Sequence, residues 1–353
     1  MKRNKLLWLY PEMAGYLFDC IKKARELFPT FEFHIIRWPL NDEAPFSFGE
    51  IEGVTWYNKS DYSETELVSF CGALNPDHVF CSGWNDKNYL KICKSLKGSI
   101  GITLLLDNYW ENTIRQHIAS LLGPLFIKRH FDSVWVPGTL HKKYAKKLGF
   151  KSNQIYTQFY CADVDKFNAE YNANKELKKK KYPHRFLYVG RYLTLKGVED
   201  LWQAFTLAKN KTNNDWELVM VGAGELYETR KIHPNIRHLG FIQPSELPEI
   251  IKDAGVFVMP SHYDHWGVAV HEFAAAGLPL ICSEKVGAAS QFLIQSENGY
   301  LFPIKSPDSM AEVMVQIMNL SDEALAKMGE KSNELARTLT YENWLNTLNN
   351  IVQ

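Results

Sequence analysis

The sequence has no excess of charge of either sign, no paired cysteines and no membrane-length apolar run, and each absence removes a class of function. Forty Lys and Arg balance forty Asp and Glu, so no global field recruits nucleic acid and an anionic partner needs a local site. No apolar stretch approaches the roughly 20 residues that span a bilayer, and Leu6-Leu7-Trp8-Leu9-Tyr10 is too short for the core of an export signal. The six cysteines, Cys20, Cys71, Cys81, Cys93, Cys161 and Cys282, form no C-x-x-C pair, which suits buried thiols in a reducing compartment. The chain is therefore expected in the cytoplasm, touching a membrane at most peripherally. Internal repeats, a G-x-x-x-x-G-K-[ST] phosphate loop and an H-E-x-x-H metal helix are also missing.

What is present is apolar and periodic. The 353 residues are 46% hydrophobic and 23% charged, enough for two folded domains. Short β-rich runs at 5–10, 31–38, 78–82, 99–106, 133–136 and 155–160 alternate with helical patterns at 16–27, 64–74 and 140–148, the signature of a parallel α/β sheet. A polar, lysine-rich stretch at 168–184 reads as a linker between a first domain at 1–167 and a second at 185–339. The alternation then restarts, with strands expected at 186–189, 217–221, 236–239, 256–259 and 280–282, and two terminal helices at 322–339 and 342–352. Doubly wound sheets bind ligands at the carboxyl ends of their strands, so the informative residues should follow the strands.

Two clusters lie there. After the strand at 186–189 comes Gly190-Arg191-Tyr192-Leu193-Thr194-Leu195-Lys196-Gly197; an Arg fork and a Lys point charge around a strand-to-helix turn suit a diphosphate. After the strand at 256–259 comes Pro260-Ser261-His262-Tyr263-Asp264-His265-Trp266-Gly267, opening a helix that carries Glu272. Gly267 permits close backbone approach at a helix start, where free N–H groups favour an anion. Asp264 is also in a position typical of a helix cap. His262, His265 and His271 beside Asp264 have ligand chemistry, but their spacing matches no zinc motif and no metal is expected. Gly222-Ala223-Gly224 lacks the third glycine of a dinucleotide fingerprint.

The ordered motifs G-R-x4-K-G at 190–197, V-G-A-G at 221–224 and P-S-x2-D-x2-G-x4-E-x-x-A-x-G-x-P at 260–279 resemble those of retaining glycosyltransferases of family GT4. The likeness extends to Asp163-x3-Phe167 and to Asn298-Gly299-Tyr300-Leu301-Phe302. It implies the α/β GT-B fold: two Rossmann-like doubly wound domains facing across a cleft, with the C-terminal helix at 340–353 crossing back to the first domain. The resemblance further implies that Gly190, Arg191 and Lys196 hold the diphosphate of a nucleotide sugar and that Glu272 takes the ribose hydroxyls. Asp264 would touch the transferred sugar, the backbone of Trp266, Gly267 and Val268 would face the diphosphate, and Phe241 and Ile242 would bracket the base. The family pattern E-x7-E has Glu where this chain has Asp264, one methylene shorter.

In the first half the match is thinner. Gly15 stands where the family has a glycine-rich donor loop, and Asp107 where a histidine is common. Asp107 reads either as a catalytic or acceptor-positioning carboxylate or as a helix N-cap. Trp84, Asn85, Asn108, Tyr109 and Trp110 would form an acceptor rim. The implied reaction moves a sugar from a UDP- or GDP-sugar to a hydroxyl of a cell-surface glycan or glycolipid precursor, with no cofactor or metal, at the inner face of a plasma membrane. Lys142, Lys143, Lys146, Lys147 and the linker lysines could contact anionic lipid. The competing readings are a GT-B sugar-nucleotide epimerase and an inactive relative serving as a binding subunit.

Overall fold

The computed structural model describes residues 4–39, 49–243 and 246–353. The chain divides into two compact units, Met1–Cys161 with Thr340–Gln353, and Ala162–Leu339.

The first unit alternates strand and helix: β1 (Asn4–Leu9), α1 (Gly15–Leu27), β2 (Phe31–Arg37), β3 (Val54–Asn58), α2 (Glu64–Leu74), β4 (His78–Ser82), α3 (Lys87–Leu96), β5 (Gly101–Leu105), α4 (Ile114–Phe126), β6 (Ser133–Trp135), α5 (Thr139–Lys147) and β7 (Ile155–Tyr156). All seven strands are parallel, in the order β3-β2-β1-β4-β5-β6-β7. Leu6 to Leu9 of β1 are wholly buried, as a central parallel strand covered on both faces must be. The order reverses between β1 and β4, so the loops following these strands border the sheet's switch point.

The second unit opens with α6 (Val164–Lys180) and continues through β8 (Arg185–Val189), α7 (Val198–Lys211), β9 (Glu217–Val221), β10 (Ile236–His238), α8 (Leu247–Lys252), β11 (Val256–Met259), α9 (Val268–Ala275), β12 (Leu280–Ser283), α10 (Ala289–Phe292), β13 (Gly299–Phe302), α11 (Pro307–Met318) and α12 (Asp322–Ala336). Its six parallel strands run β10-β9-β8-β11-β12-β13, placing the switch point between β8 and β11. The last helix, α13 (Tyr341–Val352), belongs to the first unit. Trp344 anchors it there: fully buried, it donates its indole N–H to the Phe159 carbonyl at 2.8 Å and packs beside the rings of Trp8 and Trp135.

The stretch read as a linker, 168–184, is mostly helix α6, and the boundary lies earlier, at Cys161. The reason is visible at Lys178. Its stem is buried and its ammonium donates to the Ile251 and Ala254 carbonyls at 3.2 and 2.8 Å, tying α6 to the end of α8. Burial pushes that ammonium's pKa down to about 7. A lysine run that reads as solvated is thus partly a structural tie. All six cysteines are buried.

Candidate active site

Both motif clusters of the second unit sit at its switch point, one after β8 and one after β11, and the backbone binds them together. Gly197, at φ 68°, starts α7 so close to the Pro260 carbonyl that a methyl group there would collide with it. The His262 N–H donates to the Leu195 carbonyl at 2.9 Å. The neighbouring loops join the same lattice, with Tyr192 N–H donating to the Ala223 carbonyl at 2.8 Å and Gly222 N–H to the Gly240 carbonyl at 2.7 Å. The carboxyl edge is therefore a preorganised rim rather than a set of independent loops.

On this rim Lys196 and Asp264 meet. The ammonium lies 2.6 Å from Asp264 Oδ2, with side chains only 21% and 14% exposed. Asp264 is itself held by its backbone, its N–H donating to the Lys285 carbonyl and its carbonyl accepting from Gly287, both at 3.1 Å. It caps no helix. The N-cap of α9 is Gly267, at φ 83°, and no side chain caps that terminus; Val270 N–H donates to the Gly267 carbonyl at 3.0 Å, which leaves the Val268 and Ala269 amides to face an acceptor.

Trp266 and Val268 flank Gly267 with buried side chains, so what they offer at this terminus is backbone. Glu272 lies half-buried in the second turn of α9. Gly190 and Arg191 follow β8; Arg191 is exposed, while its carbonyl accepts from the buried Tyr188 hydroxyl at 2.8 Å. Phe241 and Ile242 follow β10, and Phe241 projects into solvent at 61% exposure.

Of the three histidines near Asp264, two are engaged with other groups. His262 pairs with Asp200 at 2.7 Å, while His271 is fully buried, stacked on Phe292, with its ring nitrogens against Ala162 N–H and the Ala336 carbonyl. Among the described residues no group of three or more His, Cys, Asp or Glu side chains is arranged to hold a metal.

In the first unit the loops after β1, β4 and β5 carry the remaining candidates. Gly15 opens α1, which also lacks a side-chain cap. Asp107 follows β5 and is no N-cap, since α4 is capped by Thr113. Instead Asp107 Oδ2 accepts from the Tyr160 hydroxyl at 3.2 Å, and Tyr160 lies 3.4 Å from the Tyr10 hydroxyl. Burial pushes both phenols above their ordinary range, so they stay protonated and can donate. Tyr10 and Tyr160 escape sequence reasoning because they reach Asp107 only through folding, from positions far away along the chain.

Trp84 and Trp110 both pack against Tyr144, and Lys147 lies over the Trp110 ring at 4.3 Å. Asn85 is exposed and Asn108 half-buried. Tyr109 departs from the expected rim: its side chain is buried edge-on to His141 and its carbonyl accepts from Gln116 at 2.7 Å. It supports the loop from beneath.

Comparison with known proteins matches residues 170–335 to the family described as glycosyl transferases group 1. An uncharacterized glycosyltransferase, MJ1607 of Methanocaldococcus jannaschii, is 33% identical over 132 residues, covering 35% of this chain and 33% of that protein. O-antigen chain mannosyltransferase B of Escherichia coli is 30% identical over 105 residues, 28% of each chain. The chain thus spans about a third of the length of these curated relatives. In fold, the Anabaena protein Alr3699/HepE, crystallised with UDP, superposes with a TM-score of 0.72 at 12% identity, covering 98% of both chains.

Proposed function

Residues 170–335 match the glycosyl transferases group 1 family, and from that match we infer that the chain is a retaining glycosyltransferase of the GT4 type using a UDP- or GDP-sugar. The observation that carries this reading is the pairing of Lys196 with Asp264 at 2.6 Å on a backbone-bound rim beside the uncapped start of α9. A cation, the Val268 and Ala269 amides and a carboxylate at one sheet edge match a ligand with a diphosphate at one end and hydroxyls at the other.

In the proposed reaction the bond between the anomeric carbon and the diphosphate oxygen breaks while the acceptor oxygen bonds to that carbon on the same face. The acceptor proton passes to the departing phosphate oxygen. Negative charge grows on the diphosphate, where Arg191, Lys196 and the α9 amides stabilise it. Asp264 fixes the sugar hydroxyls and Glu272 the ribose. Asp107, held by Tyr160, orients the acceptor, with Trp84 and Trp110 offering faces to its sugar rings. The chemistry calls for no metal.

The acceptor in this reading is a glycan or glycolipid precursor at the inner face of the plasma membrane. The mannosyltransferase named above, which by its name acts on an O-antigen chain, supports this class of acceptor. Incubation with UDP- and GDP-hexoses and lipid-linked acceptors, followed by detection of released nucleoside diphosphate and NMR of the product anomer, tests it. Acceptor-dependent release with retained configuration is expected. An altered sugar nucleotide formed without acceptor would make the protein an epimerase, and no turnover with any donor would make it an inactive relative.

A further inference from the structure

Helix α4 is built inside out. Ile114, Ile118, Leu121, Leu122 and Leu125 recur at i, i+4, i+7, i+8 and i+11, the spacing of one helical stripe. In an ordinary surface helix that stripe faces the core. Here Ile114, Leu121 and Leu125 are 80%, 79% and 75% exposed, and Ile118, Leu122 and Phe126 are also open to solvent. The inward positions are small or polar instead: Gln116 and Gly123 are buried and Ala119 and Ser120 half-buried. Soluble surfaces rarely leave so many large aliphatic side chains contiguous without an interaction to serve.

The surroundings of the stripe are basic. Residues 112–151 contain eight Lys and Arg against one acidic residue, Asp132, and Asp132 is paired with Lys97 at 2.5 Å. Helix α5 packs directly on the end of α4: a methyl group at Gly123 would lie 3.2 Å from the Leu148 backbone, and one at Gly149 would lie 3.1 Å from the Pro124 ring. Lys143 and Lys146 of α5 are exposed and Lys142 half-buried. An exposed aliphatic stripe, with exposed lysines on the helix packed against its end, complements an acyl layer beneath anionic headgroups.

We propose that the exposed stripe of α4, with the α5 lysines beside it, is the surface by which the first unit docks on an anionic lipid bilayer. The helix lies in the interface with Leu121 and Leu125 reaching towards the acyl chains, and Lys142, Lys143 and Lys146 meet the headgroups. No helix of the described residues is long and apolar enough to cross a membrane, and attachment through this stripe is in the plane of the interface and reversible. The surface shares no residue with the donor rim of the second unit, and it holds whether or not the proposed transfer reaction is correct.

Flotation of the full chain with phosphatidylcholine vesicles, with and without phosphatidylglycerol, tests this. Wild type is expected to float with the anionic vesicles and to be released by salt. L121S/L125S should weaken partitioning by about tenfold or more at every salt concentration. K142Q/K143Q/K146Q should weaken it by about fivefold per lysine and flatten the salt dependence. The leucines are exposed, so L121S/L125S should keep the wild-type melting temperature, which separates lost docking from misfolding. Absence of wild-type flotation, or wild-type binding by L121S/L125S, would overturn the proposal. So would a dimer in sedimentation analysis that L121S/L125S dissociates while lipid binding is absent, because the stripe would then pair two copies. Flotation without any nucleotide-induced thermal shift would retain this surface and reject the donor reading instead.

Discussion

Replacing Asp264 by Asn should move nucleotide binding and sugar transfer in opposite directions. In the free protein the Asp264 carboxylate occupies the Lys196 ammonium at 2.6 Å. A diphosphate arriving at that ammonium meets both a competitor for the cation and a like charge on the same cation. Two charges about 4 Å apart repel by about 1 kcal/mol in water and about 4 kcal/mol at an effective permittivity near 20. Even at the lower figure, removing the charge should tighten UDP or GDP binding by about fivefold. The sugar hydroxyls, however, lose their acceptor, and transfer should fall by about a hundredfold or more, as for other preorganised contacts to a reacting group. Calorimetric titration of the nucleoside diphosphate, alongside steady-state kinetics with the full donor, measures the two effects. The gain in affinity should shrink at high salt. If D264N weakened diphosphate binding in proportion to its loss of transfer, Asp264 would be holding the rim together rather than sharing Lys196 with the ligand.

Arg191→Ala and Lys196→Ala should each lower turnover by about a hundredfold or more, read from nucleoside diphosphate release; near-normal transfer by either variant would remove that residue from the diphosphate site. Trp344→Ala deletes a fully buried indole and its bond to Phe159, so urea unfolding should show a loss of about 3 to 5 kcal/mol in the first unit, with diphosphate affinity unchanged. Burial holds His78 and His271 down to a pKa of about 4, against an ordinary 6.5. Both imidazoles are therefore neutral when folded and take up protons on unfolding, so their contribution is complete above about pH 6.5 and is lost as the pH falls from there towards 4, by up to about 3 kcal/mol each. Unfolding curves between these limits should show stability already falling near pH 6, with a shallower slope in H271Q; a flat profile down to pH 5 would contradict the buried neutral state.

The sheets are legible in the sequence because their strands are buried on both faces and read as short apolar runs: β4, β9 and β11 coincide with their expected ranges. Strand β3 is harder to read, since Val54–Asn58 mixes exposed and half-buried positions at the sheet edge and includes Thr55 and Asn58. Helix α6 hides behind its lysines, because composition does not reveal that a lysine stem is buried and its ammonium bonded to carbonyls elsewhere in the fold. In the second unit the site can be read from motifs, because each lies within one strand-loop-helix segment; what cannot be read is the contact from Lys196 to Asp264, 68 residues on. In the first unit Asp107 is legible only by its place after a strand, and its tyrosine partners come from just after β1 and from beyond β7. The exposed face of α4 has the periodicity of a core helix, and only the folded surroundings tell which way it points.

The most direct test is a thermal-shift and calorimetric comparison of UDP, GDP, ADP, CMP and NAD binding to wild type and to E272A. A ligand at about 100 times its dissociation constant stabilises by about 2.7 kcal/mol, which should raise the melting temperature by several degrees. The proposed donor site predicts a selective shift with UDP or GDP that E272A abolishes. No shift with any nucleoside diphosphate, or an undiminished one in E272A, would contradict it.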